Sequence, residues 1–486
     1  NPYQYKALLL AADIKREGQR FDEAEEFIQT ALDDKKDNPE GYIRYAALLN
    51  ERYLAKGDSD DLASAIEQIS KALAIQPDNF KALNYLGYLH INENGYDAAL
   101  DAFEKARAVN PESAVLNYDI GLAYEKKGEK GKALDAFEKA RAKNMDDEVN
   151  LCRLENFLVA GEFKIGSPLR ISLSEQHYKT ALIRSKEHLN DEYLYHLRRS
   201  LYLNPLLRDA RERFLQYNFD LGYDNLYIDE LKNLQKLFPD GDYGNALNIA
   251  IMKRRNRVYH ESGFSQEDPP RDVPNVVVLN FITPGGISDH PAAGEIIADN
   301  ITFSLQQFGR MSTPTVPERR ELLSQVQDRP YKELDDILTE LSDKMQKHND
   351  AHIDYVVFGE FREKGQALYL DYKLMDFKTG VILAQDELYD REKDKLARLA
   401  LRAARFIYGK VPYKGRILST DHDKAVVNLG LYDGLKPGDI LYVDSEHDAG
   451  VKGKYMIKKK ILFKIEEADT VVSRVSAVDR DEAEKV

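Results

Sequence analysis

The first half of the chain repeats a pattern of small and large apolar positions. The ten residues ALDAFEKARA occupy 99–108 and recur unchanged at 133–142, 34 positions later. Within each stretch the apolar residues are spaced as on one face of a helix, so the pattern predicts helix pairs with a period of 34 residues. The positions that define the pair are Gly87, Ala99, Phe103, Ala106 and Pro111, and in the next copy Gly121, Ala133, Phe137 and Ala140.

The residue types at these positions fit two antiparallel helices in close contact. Because helices approach closely only where side chains are small, we expect Gly87 and Ala99 at the crossing and Phe103 beside it. Pro111 would end the second helix, since proline cannot continue it. These residues resemble the tetratricopeptide repeat, and the resemblance implies an all-α solenoid. The alternative is another bundle of amphipathic helices.

The predicted solenoid covers residues 1–260 and becomes degenerate after about residue 145. Met145 stands where the repeat pattern has proline. A helix over 242–259 has a polar side, and we expect it to cap the array, because a stacked array needs a polar outer face at its end.

Two further regions fit the period less closely. The turn predicted at 56–60 is several residues longer than the repeat pattern. Pro205 and Pro239 are again 34 residues apart, with Ala181 and Gly222 at the positions expected for small residues. We therefore predict two degenerate units in this part of the chain.

A solenoid of this kind presents a concave groove lined by the first helix of each unit. Rigid aromatic and polar side chains in such a groove suit the binding of a partner helix or an extended peptide. Some of the tyrosines could instead pack against the next helix. The groove residues predicted from the two clearest repeats are Lys81, Asn84, Tyr88, Val115, Tyr118 and Leu122.

The pattern changes after residue 260. Residues 261–274 contain three prolines and no periodicity, which predicts an interdomain linker. A domain at 275–411 follows, with alternating strand and helix patterns that indicate an α/β sandwich with a mixed sheet. Its predicted strands are 275–281, 353–361, 367–376 and 380–389, and its predicted helices are 292–308, 317–326, 331–348 and 393–408.

Five segments of this domain resemble the family that includes the CsgG secretion protein, the N-terminal domain of TolB and the middle domain of the flagellar protein FlgT. The resemblance implies an exported protein of the bacterial envelope, and it implies that the matching residues serve the fold. The segments are VVVLNF at 276–281, IADNI at 297–301, FGR at 308–310 followed by VPER at 316–319, IDYVVFG at 353–359 and LMDFKTG at 374–380.

Residues 412–486 are similar to the small β-barrel that follows the middle domain in FlgT, so we expect an SH3-like barrel. Gly434 and Gly438 mark tight turns and are expected to take backbone angles that other residues avoid. The order of middle domain and barrel is shared with FlgT, whereas the tetratricopeptide array is a departure from it.

Composition and charge narrow the function. Of the 486 residues, 43% are hydrophobic and 31% are charged, which fits a folded multidomain protein. Acidic residues outnumber basic ones by 83 to 69, and the net charge of −14 argues against a nucleic-acid partner. No apolar run approaches the roughly 18 residues of a membrane span. The chain begins with Asn1, so a signal peptide or lipid anchor could have preceded it.

The sequence contains no phosphate-binding loop and no nucleophile elbow. Cys152 is the single cysteine, which excludes an intramolecular disulfide. His348 and His352 could offer two metal ligands on one helix, but a solvated surface pair is favoured. The segments Asp421-His422-Asp423 and Glu446-His447-Asp448 fall in predicted hairpin turns, where aspartate commonly bonds its own backbone. We predict no catalytic residue, no metal and no cofactor.

The expected function is that of a non-enzymatic periplasmic scaffold that binds other proteins through its groove. The resemblance to FlgT makes a flagellar motor ring or collar the most specific expectation. One alternative is an accessory of an outer-membrane secretion or assembly complex. A second is a metal-dependent enzyme that uses the region of His348.

Overall fold

The structure is a computed structural model. The residues that it describes are 2–18, 20–255, 257–263, 273–282, 290, 292–326, 334–347, 352–412, 414–448 and 456–478.

The chain forms two compact units that do not follow chain order. The first contains Asn1–Lys164, Val276–Ser304 and Thr313–Ile407, and the second contains Ile165–Asn275, Leu305–Ser312 and Tyr408–Val486. The first unit therefore combines the clearest repeats with most of the predicted α/β domain. The predicted boundaries at 260, 274 and 411 stay a prediction, and residues 264–272 of the predicted linker lie outside the described residues.

The repeats of the first unit are antiparallel helix pairs. Each pair buries its alanines completely at the contact, which includes Ala99 and Ala106 in one pair and Ala133 and Ala140 in the next. The helices are α1 (Pro2–Glu17), α2 (Phe21–Asp34), α3 (Pro39–Lys56), α4 (Ser59–Ile75), α5 (Phe80–Asn92), α6 (Tyr96–Val109), α7 (Ala114–Lys126), α8 (Lys130–Lys143) and α9 (Glu148–Ala160).

The glycine positions explain how closely the paired helices approach. A methyl group on Gly87 would lie 2.2 Å from Cε1 of Phe103, and one on Gly121 would lie 2.6 Å from Cδ1 of Phe137. Such distances are far shorter than van der Waals contact. Gly87 therefore lies directly against the ring of Phe103, where only glycine leaves room for it.

The turns between paired helices keep the same period. Asn94, Gly128 and Glu162 all have left-handed backbone angles, with φ of 63°, 80° and 58°, and they are 34 residues apart. The first helix of a repeat usually starts at a side chain that accepts a backbone N–H, as Ser113 does from Leu116 at 3.1 Å. The period therefore persists past residue 145 in the turns, although the proline is lost.

The expected long turn at 56–60 is wrong. Helix α3 runs for 18 residues, whereas α5 has 13, and α4 starts only two residues beyond Gly57. Gly57 ends α3 in the left-handed conformation, with φ of 74°. The extra residues lengthen the helix because Leu49, Tyr53 and their neighbours continue its buried face.

The α/β part of the first unit has a four-stranded mixed sheet, as the sequence predicted. The strands pair in the order β1-β2-β3-β4, with β1 parallel to β2 and the other pairs antiparallel. The helices α16 to α18 connect β1 to β2, because parallel neighbours need a crossover. The elements are β1 (Val276–Val278), α16 (Ala293–Leu305), α17 (Val316–Val326), α18 (Leu334–Lys347), β2 (Tyr355–Lys364), β3 (Ala367–Asp376), β4 (Ile382–Asp390) and α19 (Lys395–Lys410).

Helices pack on both faces of this sheet. Val356 and Met375 pack with apolar residues of α17 and α18 on one face. Tyr372 points to the other face, where its ring meets Phe406 of α19 edge to face at 5.7 Å. Helices therefore cover both faces of the sheet at these positions.

The second unit contains a further set of helices. Ala181, Leu197 and Ala210 form a buried cluster between them. Gly222 is not a packing position inside a helix, as the sequence suggested, but a left-handed turn residue with φ of 71° between α12 and α13. The helices are α10 (Pro168–Lys186), α11 (Asn190–Leu203), α12 (Arg208–Asp220), α13 (Asp224–Leu237), α14 (Gly244–Arg255) and α15 (Val258–Glu261).

The predicted capping helix at 242–259 consists of two helices, since α14 ends at Arg255 and α15 starts at Val258. None of the α14 residues is buried, which fits an exposed end. The capping role itself stays a prediction.

The second unit also contains a five-stranded antiparallel sheet in the order β5-β6-β9-β8-β7. Gly434 and Gly438 have φ of 80° and 99°, so the expected backbone angles are confirmed. Within the described residues β5 and β7 are the edges, and closure into an SH3-like barrel stays a prediction. The strands are β5 (Ile417–Asp421), β6 (Lys424–Val427), β7 (Ile440–Asp448), β8 (Met456–Ala468) and β9 (Ser473–Ala477).

Among the described residues, no helix is long and apolar enough to cross a membrane.

Candidate functional site

The first helices of successive repeats are joined by buried polar side chains along one surface. Asn92 on α5 donates to Asn50 on α3 at 3.0 Å, and Asn84 on α5 donates to Asp119 on α7 at 2.8 Å. Nε of Arg153 on α9 donates to the hydroxyl of Tyr118 at 3.0 Å. We call this surface of α3, α5, α7 and α9 the inner face.

The six predicted groove residues all lie on helices of the inner face but differ in burial. Tyr118 and Leu122 are almost completely buried, and Asn84 is nearly so. Tyr88 and Val115 are half-buried. Lys81 is exposed, and its ammonium lies 3.4 Å from Glu40. Partner binding by these residues stays a prediction. Tyr118 and Leu122 are buried by other residues of the same chain.

Helix α16 of the α/β part lies against the inner face at α7 and α9. Asn156 donates to Asp299 at 3.0 Å, and the thiol of Cys152 is 3.8 Å from Oδ1 of Asn300. All four side chains are buried. Helix α16 therefore covers part of the inner face within the first unit.

Arg153 pairs with carboxylates on both sides of this contact. Its guanidinium lies 2.6 Å from Glu125 and 3.4 Å from Glu295 of α16, and its side chain is fully buried. Burial alone would lower the pKa of Arg153, but Tyr118, Glu125 and Glu295 raise it well above the ordinary value. The guanidinium therefore stays charged and holds carboxylates of both parts.

A second buried cation ties α16 to α17. Nη1 of Arg319 is 2.6 Å from Oδ1 of Asp299, and both side chains have no exposed surface. Nε of Arg319 also donates to the carbonyl of Val278 at 2.6 Å, and Arg320 reaches Asp299 at 2.7 Å. Because Asp299 also accepts from Asn156, one carboxylate joins the repeats, α16 and α17.

His290 joins the repeats to the sheet. Its Nε2 lies 2.8 Å from Oδ2 of Asp147, which caps α9, and its Nδ1 lies 2.9 Å from Oε1 of Glu363 on β2. Burial alone would lower the pKa of His290, but Glu363 and Asp147 raise it well above the ordinary value. Burial would raise the pKa of Asp147, and the hydrogen bond from His290 holds it below its ordinary value. The arrangement is an ion triad with a protonated imidazole.

A large cavity lies beside these contacts. It has a volume of about 820 Å³ and is bounded by the inner face on one side and by the sheet of the α/β part on the other. Tyr88 and Leu122 of the predicted groove line it, together with Ile91 and Tyr96. Phe358 lines it from the sheet. The volume lies in the range of ligand-binding clefts in proteins.

The candidate metal positions do not form a site in the described part of the chain. There, no group of three or more His, Cys, Asp or Glu side chains could hold a metal ion. His352 is 78% exposed and lies 3.3 Å from Asp354, while His348 lies outside the described residues. His422 is 91% exposed in a turn next to Asp421.

Comparison with known proteins supports the assignment of the repeats. The family model of the tetratricopeptide repeat matches residues 87–148. This part of the chain carries tetratricopeptide repeats. No curated protein matches the chain. Tetratricopeptide solenoids are platforms for binding other proteins along an extended concave surface.

Several solved structures are similar to part of the chain. MamA from Desulfovibrio magneticus RS-1 is 21% identical, with 33% of this chain and 86% of that chain covered and a TM-score of 0.28. PilF of Pseudomonas aeruginosa is 13% identical, with 51% and 98% covered and a TM-score of 0.30. PilW, a type IV pilus biogenesis factor, is 18% identical, with 51% and 98% covered and a TM-score of 0.28.

Sequence reasoning missed the residues that join the repeats to the α/β part. Three of these residues lie in segments that resemble the envelope family, namely Asp299, Asn300 and Arg319. The sequence pattern did not indicate which residues they contact. Asn156 and Asp299 are 143 residues apart in sequence. The resemblance of 275–411 to CsgG, TolB and FlgT stays a prediction.

Proposed function

We propose that this protein is a non-enzymatic scaffold whose first unit binds partner proteins at the inner face of its repeats. The observation that carries the proposal is the cavity of about 820 Å³ between the inner face and the sheet. Its wall includes Tyr88 and Leu122, two residues of the predicted groove. Rigid aromatic side chains in a cleft are typical of surfaces that anchor a protein segment.

The buried contacts between the repeats and the α/β part fix the geometry of this scaffold. Arg153 pairs with Glu295, His290 pairs with Asp147, and Asn156 donates to Asp299, so buried contacts hold the sheet in place as a wall of the cleft. A partner would therefore contact the repeats and the sheet together. Preorganised walls favour binding, since less conformational freedom is lost on association.

We further propose that the scaffold works in the periplasm as part of a flagellar motor ring or collar. The support is the resemblance of five segments in 275–411, and of the region that follows, to the middle domain and barrel of FlgT. The net charge of −14 favours protein partners over nucleic acid. A role as an accessory of an outer-membrane secretion or assembly complex is the alternative within the same family.

Electron cryotomography of flagellar motors separates these two roles. In a strain that lacks the gene, the collar role predicts loss of a periplasmic density around the motor, with secretion unchanged. A complete motor together with defective secretion would favour the accessory role. A complete motor with normal secretion would contradict both.

A further inference from the structure

Three carboxylates stand in a row across the sheet where it borders the cavity. Glu360 on β2 is directly opposite Asp371 on β3, and Asp371 is directly opposite Glu387 on β4. Residues that are directly opposite share a face of the sheet, so all three side chains lie on one face. All three line the cavity. We call Glu360, Asp371 and Glu387 the carboxylate row.

Like charges in opposite positions destabilise a sheet unless cations neutralise them. Arg362 forms an ion pair with Asp371, and Lys373 lies next to the row on the same face. Burial raises the pKa of Glu360, with a further contribution from Asp371. On this face of the sheet the three carboxylates outnumber the two cations, Arg362 and Lys373, by one, so the sheet side of the cavity carries a small excess of negative charge.

The opposite wall has different chemistry. The repeats contribute Tyr88, Ile91, Tyr96 and Leu122 to the lining. Tyrosine rings bind aliphatic groups and also attract cations over their faces. The repeats thus give the cavity an apolar and aromatic patch, and the carboxylate row gives its sheet side an acidic one.

We propose that this cavity binds an extended segment of a partner protein in which lysine or arginine side chains alternate with apolar ones. The proposal deepens the scaffold function proposed above and rests on it. In an extended chain, successive side chains point to opposite sides, so the basic ones face the carboxylate row while the apolar ones face the tyrosines. Charge complementarity to the row selects the basic segment over an acidic one.

Fluorescence anisotropy with synthetic peptides tests this directly on the full-length protein. The probe is a labelled peptide of alternating lysine and leucine, and the comparison peptides replace lysine by glutamate or leucine by serine. The lysine-leucine peptide is expected to bind at least roughly tenfold more tightly than either, which corresponds to about 1.4 kcal/mol. Binding should weaken with added salt, because the carboxylate contacts are electrostatic.

Two double variants with the same change in net charge locate the site. Glu360→Gln with Glu387→Gln removes charge from the row, whereas Asp101→Asn with Glu138→Gln removes it from exposed positions on α6 and α8. The first is expected to weaken the lysine-leucine peptide about tenfold, and the second should leave it unchanged. The single variant Glu387→Gln, at an exposed position, serves if the change at the half-buried Glu360 affects folding.

Equal binding to both double variants would overturn the proposal, as would equal binding of the glutamate peptide. The proposal would also be overturned if spermidine bound the protein and the lysine-leucine peptide did not. The cavity would then be a site for a small cation. The scaffold function is tested separately by cross-linking in cells. If the partner remains cross-linked when the carboxylate row is altered, the scaffold stands and only the cavity proposal fails.

Discussion

Nε2 of His290 and Oδ2 of Asp147 are 2.8 Å apart, in a buried contact between residues that lie 143 positions apart in the chain. Together with Glu363 they hold the repeats against the sheet. Replacement of His290 by asparagine would leave two buried carboxylates without their cation. Breaking a buried ion pair in this way costs about 3–5 kcal/mol.

The first prediction is that His290→Asn lowers the thermal stability of the first unit. Circular dichroism melting should show an earlier transition than in the unaltered protein. The matched control is His352→Asn, because His352 is 78% exposed. An identical melting curve for His290→Asn and the control would show that the triad does not stabilise the contact.

The second prediction concerns pH. Because the pKa of His290 is raised in the folded protein, its contribution to folding stability is complete below its unfolded pKa of about 6.5. That contribution is lost as the pH rises through the folded pKa. The lowered pKa of Asp147 means that its contribution is present above about pH 4 and is lost as pH falls through the folded value. The difference in melting temperature between wild type and His290→Asn should therefore be largest between about pH 4 and 6.5. A difference that grows above neutral pH would contradict the assigned protonation.

The third prediction concerns the crossing of paired helices. Gly87→Ala places a methyl group 2.2 Å from Phe103, so we expect a loss of about 1–3 kcal/mol from overpacking. Gly131→Ala is the control, because a methyl group there has no neighbour within 4 Å. At that helical position alanine should be neutral or stabilising by up to about 1 kcal/mol. Thermal melting of both variants checks the difference, and equal effects would argue against the close crossing.

The fourth prediction asks whether Tyr118 stabilises the fold or binds a partner, and thermal melting checks it. Tyr118→Phe removes the hydroxyl that accepts from Arg153 at 3.0 Å. Because Arg153 is fully buried, the lost hydrogen bond should cost about 1–3 kcal/mol. The control is Tyr369→Phe, which keeps a ring that stacks on Tyr389 at 5.6 Å. Loss of partner binding by Tyr118→Phe without any loss of stability would instead favour a direct binding role.

The repeats could be predicted from sequence because their determinants are local. Gly87, Ala99 and Phe103 lie within one period, and the identical ten residues at 99–108 and 133–142 reveal that period directly. The hairpin was also predictable, since alternation on both sides of a turn predicted strands at 367–376 and 380–389, and the second strand is observed at Ile382–Asp390. The prediction of a long turn at 56–60 was wrong. The buried face of α3 continues further than in the other repeats, so the extra residues lengthen the helix, and the repeat pattern gives no sign of this.

The candidate site could be predicted only in part. Tyr88 and Leu122 were identified as inner-face residues from their helical positions, and both line the cavity. The carboxylate row was missed, because the register that aligns Glu360, Asp371 and Glu387 depends on pairing between three strands. The ion pairs of Arg153 and Arg319 were missed for the same kind of reason, since their partners lie on separate helices whose packing the sequence pattern does not fix.

The most direct test of the central claim is photo-cross-linking in the cells that produce the protein. Benzoylphenylalanine is placed at position 96, on the cavity wall, and at position 109 as a control, where Val109 is 43% exposed at the end of α6. The account predicts a discrete cross-linked partner at position 96, identified by mass spectrometry, and none at position 109. Cross-links of equal yield at both positions, or none at position 96 while a partner still co-purifies, would contradict binding in the cavity beside the inner face.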